Sequence, residues 1–255
     1  MSSRAGRSFV IAWQFLTAVP LSRHHHDPAP AELAGSMAWY PVVGLLLGGM
    51  LALTAWLLSA VVARVVLDAL LIVLLVAVTR GLHQDGLADT LDGWAGGCTP
   101  EQRLAIMRDG RIGAIGATGL ILALGLRYAG LAALPDPGRL LVLCCMPAVG
   151  RWAMVVGAVA VPYARAEGGL AESFLQNLKT RHVLIATLCL AVALIFAMGP
   201  FGALVILSVT ALVARAVSAH SRRLCGGVTG DTLGATNEVA EVLFLILAPL
   251  CMRMG

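Results

Sequence analysis

Seven long apolar runs limit what this chain can become. They cover roughly residues 37–63, 65–80, 113–134, 140–161, 183–198, 200–219 and 238–252, and two of them, 37–63 and 183–198, hold no charged residue. Runs of this length read as membrane-spanning helices, since a bilayer core takes about 20 apolar residues per helix. Composition agrees: 59% of residues are hydrophobic and only 13% charged, against about 25% charged in an ordinary soluble domain. The second, fifth and last runs are short for a bilayer, so six spans plus a tilted or re-entrant segment is the alternative count. Pro135-Asp136-Pro137-Gly138 and Gly199-Pro200 mark turns between paired helices. The expected architecture is all-α: a polytopic integral membrane helix bundle of six or seven spans, forming one domain over residues 1–255.

Lysine and arginine positions orient this bundle. With the N-terminus in the cytoplasm, the inside segments carry Arg4, Arg7, Arg23, Arg80, Arg103, Arg108, Arg111, Arg165, Lys179, Arg181, Arg215, Arg222 and Arg223. The outside segments carry Arg64, Arg127, Arg139 and Arg253. Thirteen against four is a positive-inside bias, and it puts the polar loops 81–112, 162–182 and 220–237 together on the cytoplasmic side. Arg151 is the cation inside a span, expected to face the interior and to pair with a carboxylate or a ligand phosphate.

Several function classes find no support. Aromatic residues make up 5% of the chain, with no basic interleaving, which does not suit nucleic acid. The six cysteines have no Cys-x-x-Cys spacing, so neither a disulfide framework nor a zinc site is indicated. Cys144, Cys145, Cys189 and Cys251 read as buried thiols. The run Phe9–Leu21 is interrupted by Gln14 and lacks a small-residue cleavage site, so it reads as a short interfacial helix rather than a signal peptide. His24, His25 and His26 read as a solvated loop, because three adjacent side chains cannot all face one ion.

The chemistry concentrates in two polar stretches. In the first, His83-Gln84-Asp85-Gly86-Leu87-Ala88-Asp89-Thr90-Leu91-Asp92, the three aspartates fall at i, i+4 and i+7, on one face of a helix. Carboxylates that close repel unless a positive charge sits among them. A divalent cation with oxygen ligands supplies one, which points to Mg2+-assisted phosphate chemistry. The competing reading is a solvated helix face, but the neighbours are Gly, Leu, Ala and Trp rather than solvating residues. Gly96-Gly97 should end this helix, and Thr99-Pro100-Glu101 should cap the next. Arg103, Arg108 and Arg111 follow, and guanidinium groups beside a carboxylate cage suit a diphosphate.

The second stretch runs from Gly226 through Thr229, Gly230 and Asp231 to Glu238, then Glu241. Asp231, Glu238 and Glu241 share a face if the segment is helical throughout. The two glutamates would open the last span, where an unpaired charge costs roughly 2.5–3.5 kcal/mol or more at mid-bilayer. The alternative is carboxylates favoured by a helix N-terminus. The glycines before Asp231, with Thr229 and Gly230, offer backbone N–H groups to a phosphate, although no Walker sequence follows.

Three segments together resemble the cobalamin synthase family, membrane enzymes also called adenosylcobinamide-GDP ribazoletransferases or cobalamin-5′-phosphate synthases. They are Gly81-Leu82-His83-Gln84-Asp85-Gly86-Leu87-Ala88-Asp89-Thr90-Leu91-Asp92-Gly93, Met107-Arg108-Asp109-Gly110-Arg111-Ile112-Gly113, and Gly226-Gly227-Val228-Thr229-Gly230-Asp231-Thr232-Leu233-Gly234-Ala235. Trp39-Tyr40-Pro41-Val42-Val43-Gly44 also resembles the family's first span. Gly110 and Gln84 depart from the pattern without touching a carboxylate.

The resemblance implies that adenosylcobinamide-GDP reacts with α-ribazole or its 5′-phosphate, releasing GMP, in a bacterial inner membrane. It implies Mg2+ on Asp85, Asp89 and Asp92, with Asp231 and Glu238 converging on the same cage. His83 or a carboxylate free of metal would take the proton. Arg108 and Arg111, with Asp109, Arg151, Thr229 and Gly230, would hold phosphate. Membrane lipid is the expected surrounding, and a homo-oligomer is compatible with such a chain. Two rival readings stand beside this one. A CDP-alcohol phosphotransferase also uses an aspartate-rich membrane helix, but Asp89 stands where that pattern has Arg. A cation transporter would need acids near the midplane of several spans.

Overall fold

The computed structural model describes residues 4–21 and 28–253; His24, His25 and His26 lie outside them. Eleven α-helices are present among the described residues. They are α1 (Arg4–Leu16), α2 (Pro30–Ser36), α3 (Tyr40–Leu58), α4 (Arg64–Thr79), α5 (Leu82–Gly96) and α6 (Pro100–Ile106), then α7 (Ala114–Ala132), α8 (Arg139–Ala158), α9 (Leu170–Leu175), α10 (Thr180–Cys225) and α11 (Gly230–Met252). A 3-10 turn, Met37–Trp39, joins α2 to α3. No strand forms among the described residues, only an isolated bridge between Tyr163 and Val228.

Five helical stretches are long and apolar enough to cross a membrane, or six if the bent pair α4–α5 counts as one span. The expected all-α bundle is therefore what forms. The two runs expected at 183–198 and 200–219 lie in the single 46-residue element α10. At 1.5 Å per residue that is about 69 Å of helix, twice a hydrocarbon core. Met198 and Gly199 leave helical geometry, Gly199 with φ +73°, just before Pro200. The chain reverses there. Thr187 before the break receives the Trp152 indole N–H at 2.9 Å, and Ser218 after it donates to Gly157 O at 2.8 Å, so both arms return to the C-terminal half of α8.

Helix α8 is central: almost every residue from Val142 to Ala158 is buried. Two glycines one turn apart on α3 let the backbones touch. A Cβ at Gly44 would stand 2.6 Å from Ala148 N, and one at Gly48 2.7 Å from Cys144 Cα. Small residues at this spacing are how membrane helices pack closely without a hydrophobic driving force.

The corner after α4 makes the site. Arg80 and Gly81 both take left-handed geometry, with φ +55° and +66°, and the Gly81 N–H closes on Val76 O at 2.9 Å. The chain turns by 87°, so α5 runs across the end of the bundle rather than through it. The α5 end at Gly96 and the cap of α6 follow the sequence expectation: Thr99 Oγ1 accepts from Gln102 N at 3.3 Å, and Gln102 Oε1 accepts from Thr99 N at 3.3 Å. Helix α11 starts at Gly230, eight residues before the expected span, capped by Thr229. Helix α1 packs at the same end, where Phe15 lies 4.8 Å from Phe174 and 6.2 Å from Tyr40 between ring centroids.

Candidate active site

Two of the cavities at this end of the bundle share Asp85. The larger, about 750 Å³, is lined by Asp85 and Asp89 of α5, by Arg80 at the corner, and by Arg108, Asp109 and Arg111 after α6. The smaller, about 240 Å³, is lined by His83, Asp85, Tyr163, Arg165, Gly230 and Asp231 among others. Phe15, Leu82 and Asp85 line both. Helices α5 and α11 meet where Gly86 faces Asp231: a Cβ at Gly86 would stand 2.8 Å from the Asp231 carbonyl. Only glycine at this crossing lets Asp231 approach the α5 aspartates.

The electrostatics mark Asp89. Burial and the nearby charges of Asp85, Asp231 and Asp92 raise its carboxyl to about 6, with Arg165 opposing. Asp231 accepts from Arg165 at 2.7 Å and from Thr229 Oγ1 at 3.2 Å. His83 is buried, and its Nε2 has no hydrogen-bond partner among the described residues. Burial first, then the positive charges of Arg151 and Arg127, hold the imidazole well below its ordinary range, so it is neutral at pH 7.

The expected cage is reshaped. Asp92 shares the helix face of Asp85 and Asp89 but faces another partner. Its Oδ2 accepts from Gly113 N at 2.7 Å and its Oδ1 from Gly116 N at 2.8 Å, which caps α7. The first N–H groups of any helix need acceptors, and α7 has none from its own N-cap residue, Gly113. Asp92 is therefore committed to joining α5 to α7. A side chain at Gly113 or Gly116 would run into the carboxylate.

Glu238 does not join the cage either. It lies two turns deeper on α11, fully buried, and accepts from Arg127 at 3.0 Å and from Gln84 Nε2 at 2.9 Å. Arg127 also bonds Glu241 at 2.6 Å, and Glu241 holds Arg151 on its other oxygen. Asn237 Nδ2 donates to both glutamates, at 3.2 and 3.0 Å. Arg127, placed outside the membrane by the sequence reading, sits within the bundle because these two carboxylates need its charge. Arg151 takes the carboxylate alternative rather than a ligand phosphate. Thr229 is buried and spent on its cap, while Gly230 lines the smaller cavity.

Arg108 and Arg111 line the larger cavity as expected, but each has a carboxylate partner: Glu167 at 2.8 Å for Arg108, and Asp109 for Arg111. Both pairs are exposed and therefore weak. Sequence reasoning missed Arg80, Tyr163 and Arg165. No local spacing marks them; the Tyr163–Val228 bridge and the α4–α5 corner bring them in.

Among the described residues, no three His, Cys, Asp or Glu side chains stand close enough to hold an ion unaided. The donor set still suits Mg2+. That ion is commonly bound through one or two carboxylates plus substrate phosphates and water, rather than in an all-protein cage. Asp85 and Asp89, which line one cavity together with three arginines, are the residues that would hold it.

Fold and site together define a class: a polytopic membrane enzyme whose main cavity sets carboxylates against guanidinium groups. Residues 8–249 match the family described as Cobalamin-5-phosphate synthase, and the chain belongs to that family. A relative from Syntrophobacter fumaroxidans, named adenosylcobinamide-GDP ribazoletransferase, is 45% identical over 88% of this chain and 89% of its own length. Relatives of the same name from Ectopseudomonas mendocina and Desulforamulus reducens are 41% and 38% identical, over 95% and 97% of this chain and 98% of each relative. No solved structure matches the chain.

Proposed function

We propose that this chain is a Mg2+-dependent adenosylcobinamide-GDP ribazoletransferase of a bacterial inner membrane, with both cavities facing the cytoplasm. The observation that carries the reading is the larger cavity, whose lining combines Arg80, Arg108 and Arg111 with Asp85 and Asp89. Orientation is supported by Arg80, Arg103, Arg108, Arg111, Arg165, Lys179, Arg181, Arg222 and Arg223 at the cavity end, against Arg64, Arg139 and Arg253 at the other.

The reaction is an attack of a ribazole ribose hydroxyl on the phosphorus next to the cobinamide. The new P–O bond forms as the bond from that phosphorus to GMP breaks, and GMP leaves with the electron pair. Arg108 and Arg111 exchange their exposed carboxylate partners for diphosphate oxygens, which they bind in a fork geometry. Asp85 and Asp89 would hold Mg2+, which when bound neutralises charge developing on the diphosphate. His83, in the lining of the smaller cavity, or a carboxylate free of metal would take the hydroxyl proton. The deeper acids suit no transport path, since Glu238, Glu241 and Asp68 are each ion-paired with an arginine.

The test is GMP release by the purified protein given adenosylcobinamide-GDP, α-ribazole and Mg2+. Release that stops when Mg2+ is chelated supports the reading. No release with all three present overturns it.

A further inference from the structure

We propose that the smaller cavity is the acceptor site, which seats the nucleoside, while the larger cavity takes only the diphosphate donor. This assignment rests on the transferase reading above and adds the division of substrates between cavities. Four observations carry it.

The first is position. The cavities share the wall formed by Phe15, Leu82 and Asp85, so ligands in the two meet across Asp85. Phosphoryl transfer needs the attacking and leaving oxygens roughly in line on opposite sides of phosphorus. With the reacting phosphorus where the cavities adjoin, a nucleoside in the smaller and the departing nucleotide in the larger meet that requirement.

Size is the second. The smaller cavity, about 240 Å³, lies just below the range of roughly 300–1,000 Å³ that holds drug-sized ligands. It suits a single nucleoside and excludes a corrin ring. The larger cavity, about 750 Å³, opens beside the exposed apolar residues Leu82 and Ile112, where a bulky amphiphile can lie.

Charge is the third. Three arginines line the larger cavity. The smaller has one, Arg165, whose pair with Asp231 at 2.7 Å is less exposed than those of Arg108 and Arg111, so it offers less to a diphosphate. Its lining includes Phe15, Tyr163 and Met154, rings and a thioether suited to an aromatic base.

The fourth is construction. The Tyr163 segment is clamped: Ala164 N donates to Val228 O, and Val228 N to Pro162 O, both at 2.9 Å. A Cβ at Gly227 would stand 2.8 Å from Ala164 N, so glycine is required for this clamp. The wall is thus part of the fold and not a loose loop.

Two-substrate kinetics on the full-length protein test the assignment, with α-ribazole and adenosylcobinamide-GDP varied in turn. Ala171→Phe fills the smaller cavity and should raise the acceptor KM about tenfold or more while sparing the donor KM. Leu120→Trp, in the wall of the larger cavity, should do the reverse. Tyr163→Ala, a milder change, should raise the acceptor KM by about 5- to 100-fold, as for a lost base–aromatic contact. Equilibrium binding of α-ribazole without donor is measured separately, so that the acceptor site can be tested even in a protein inactive in the GMP assay. Weaker α-ribazole binding in Ala171→Phe or Tyr163→Ala supports the acceptor site. Unchanged binding in both variants, or a rise in the donor KM alone, overturns it. Absence of GMP release in the unsubstituted protein counts against the transferase reading instead.

Discussion

Two charged regions lie within a few helical turns of each other, and they treat charge in opposite ways. Asp85, Asp89 and Asp231 gather at the cavities, and burial first, then the neighbouring acids, raises Asp89 to about 6 against the pull of Arg165. Two turns deeper, Glu238 and Glu241 meet Arg127 and Arg151 one for one, with Gln84 and Asn237 filling remaining acceptor positions. The deep cluster is closed electrically and holds α5, α7, α8 and α11 in place. In the shallow cluster Asp231 alone is ion-paired among the described residues, to Arg165, which leaves Asp85 and Asp89 for a cation. Acidic residues near a membrane thus divide by their partners, not by their type.

Breaking the deep cluster should have the largest effect. Arg127→Met leaves buried Glu238 and Glu241 under-compensated and should destabilise the fold by about 3–5 kcal/mol, read as a lower unfolding temperature in detergent. An unchanged Tm would show that this cluster does not hold the helices. Asp89→Asn should do the converse. It should lose about 10²–10³-fold in GMP release, comparable to removing one preorganised charge-stabilising group, with Tm close to that of the parent. Equal turnover in this variant rejects the metal role.

Asp92 shares a helix with the shallow aspartates but is bound within the fold as the deep acids are, and its variant sharpens the contrast. Asp92→Ala removes the α7 cap and should cost about 0.5–2 kcal/mol of stability, as helix caps do. Its half-saturating Mg2+ should stay that of the parent protein, while Asp89→Asn should shift it strongly. A matching Mg2+ shift in both would return Asp92 to the metal site.

The smallest effect is the pH dependence. Because the folded Asp89 holds its proton up to about 6, above the ordinary value, the folded state binds protons more tightly than the unfolded chain. Ionising this group therefore lowers stability as pH rises from about 4 to about 6. Mg2+ binding has the opposite trend, since it needs the carboxylate. Affinity should weaken about tenfold between pH 7 and pH 5 as one proton competes. Titrating Mg2+ binding across that range checks this, and Asp89→Asn should flatten the profile.

Much of the fold was legible because it is local. The apolar runs, the turns at Pro135–Gly138 and Gly199-Pro200, and the Thr99 cap follow from lengths and residue types a few positions apart. The face shared by Asp85 and Asp89 was legible for the same reason. Arg165 was not, because it reaches Asp231 across 66 positions of chain. Glu238 was misplaced because its cation, Arg127, lies 111 positions away, inside a helix that reads as an ordinary span.

The sequence by itself determined that this chain is a helical membrane bundle with an aspartate-bearing helix at its polar end, since helical period and apolar length are local properties. Tertiary structure alone decided which carboxylates remain free for a ligand. That choice depends on which distant guanidinium or backbone N–H arrives within hydrogen-bond reach. Only the packing of α5 against α7 and α11 brings Gly113 and Gly116 to Asp92, Arg127 to Glu238, and no such closed pairing to Asp85 and Asp89.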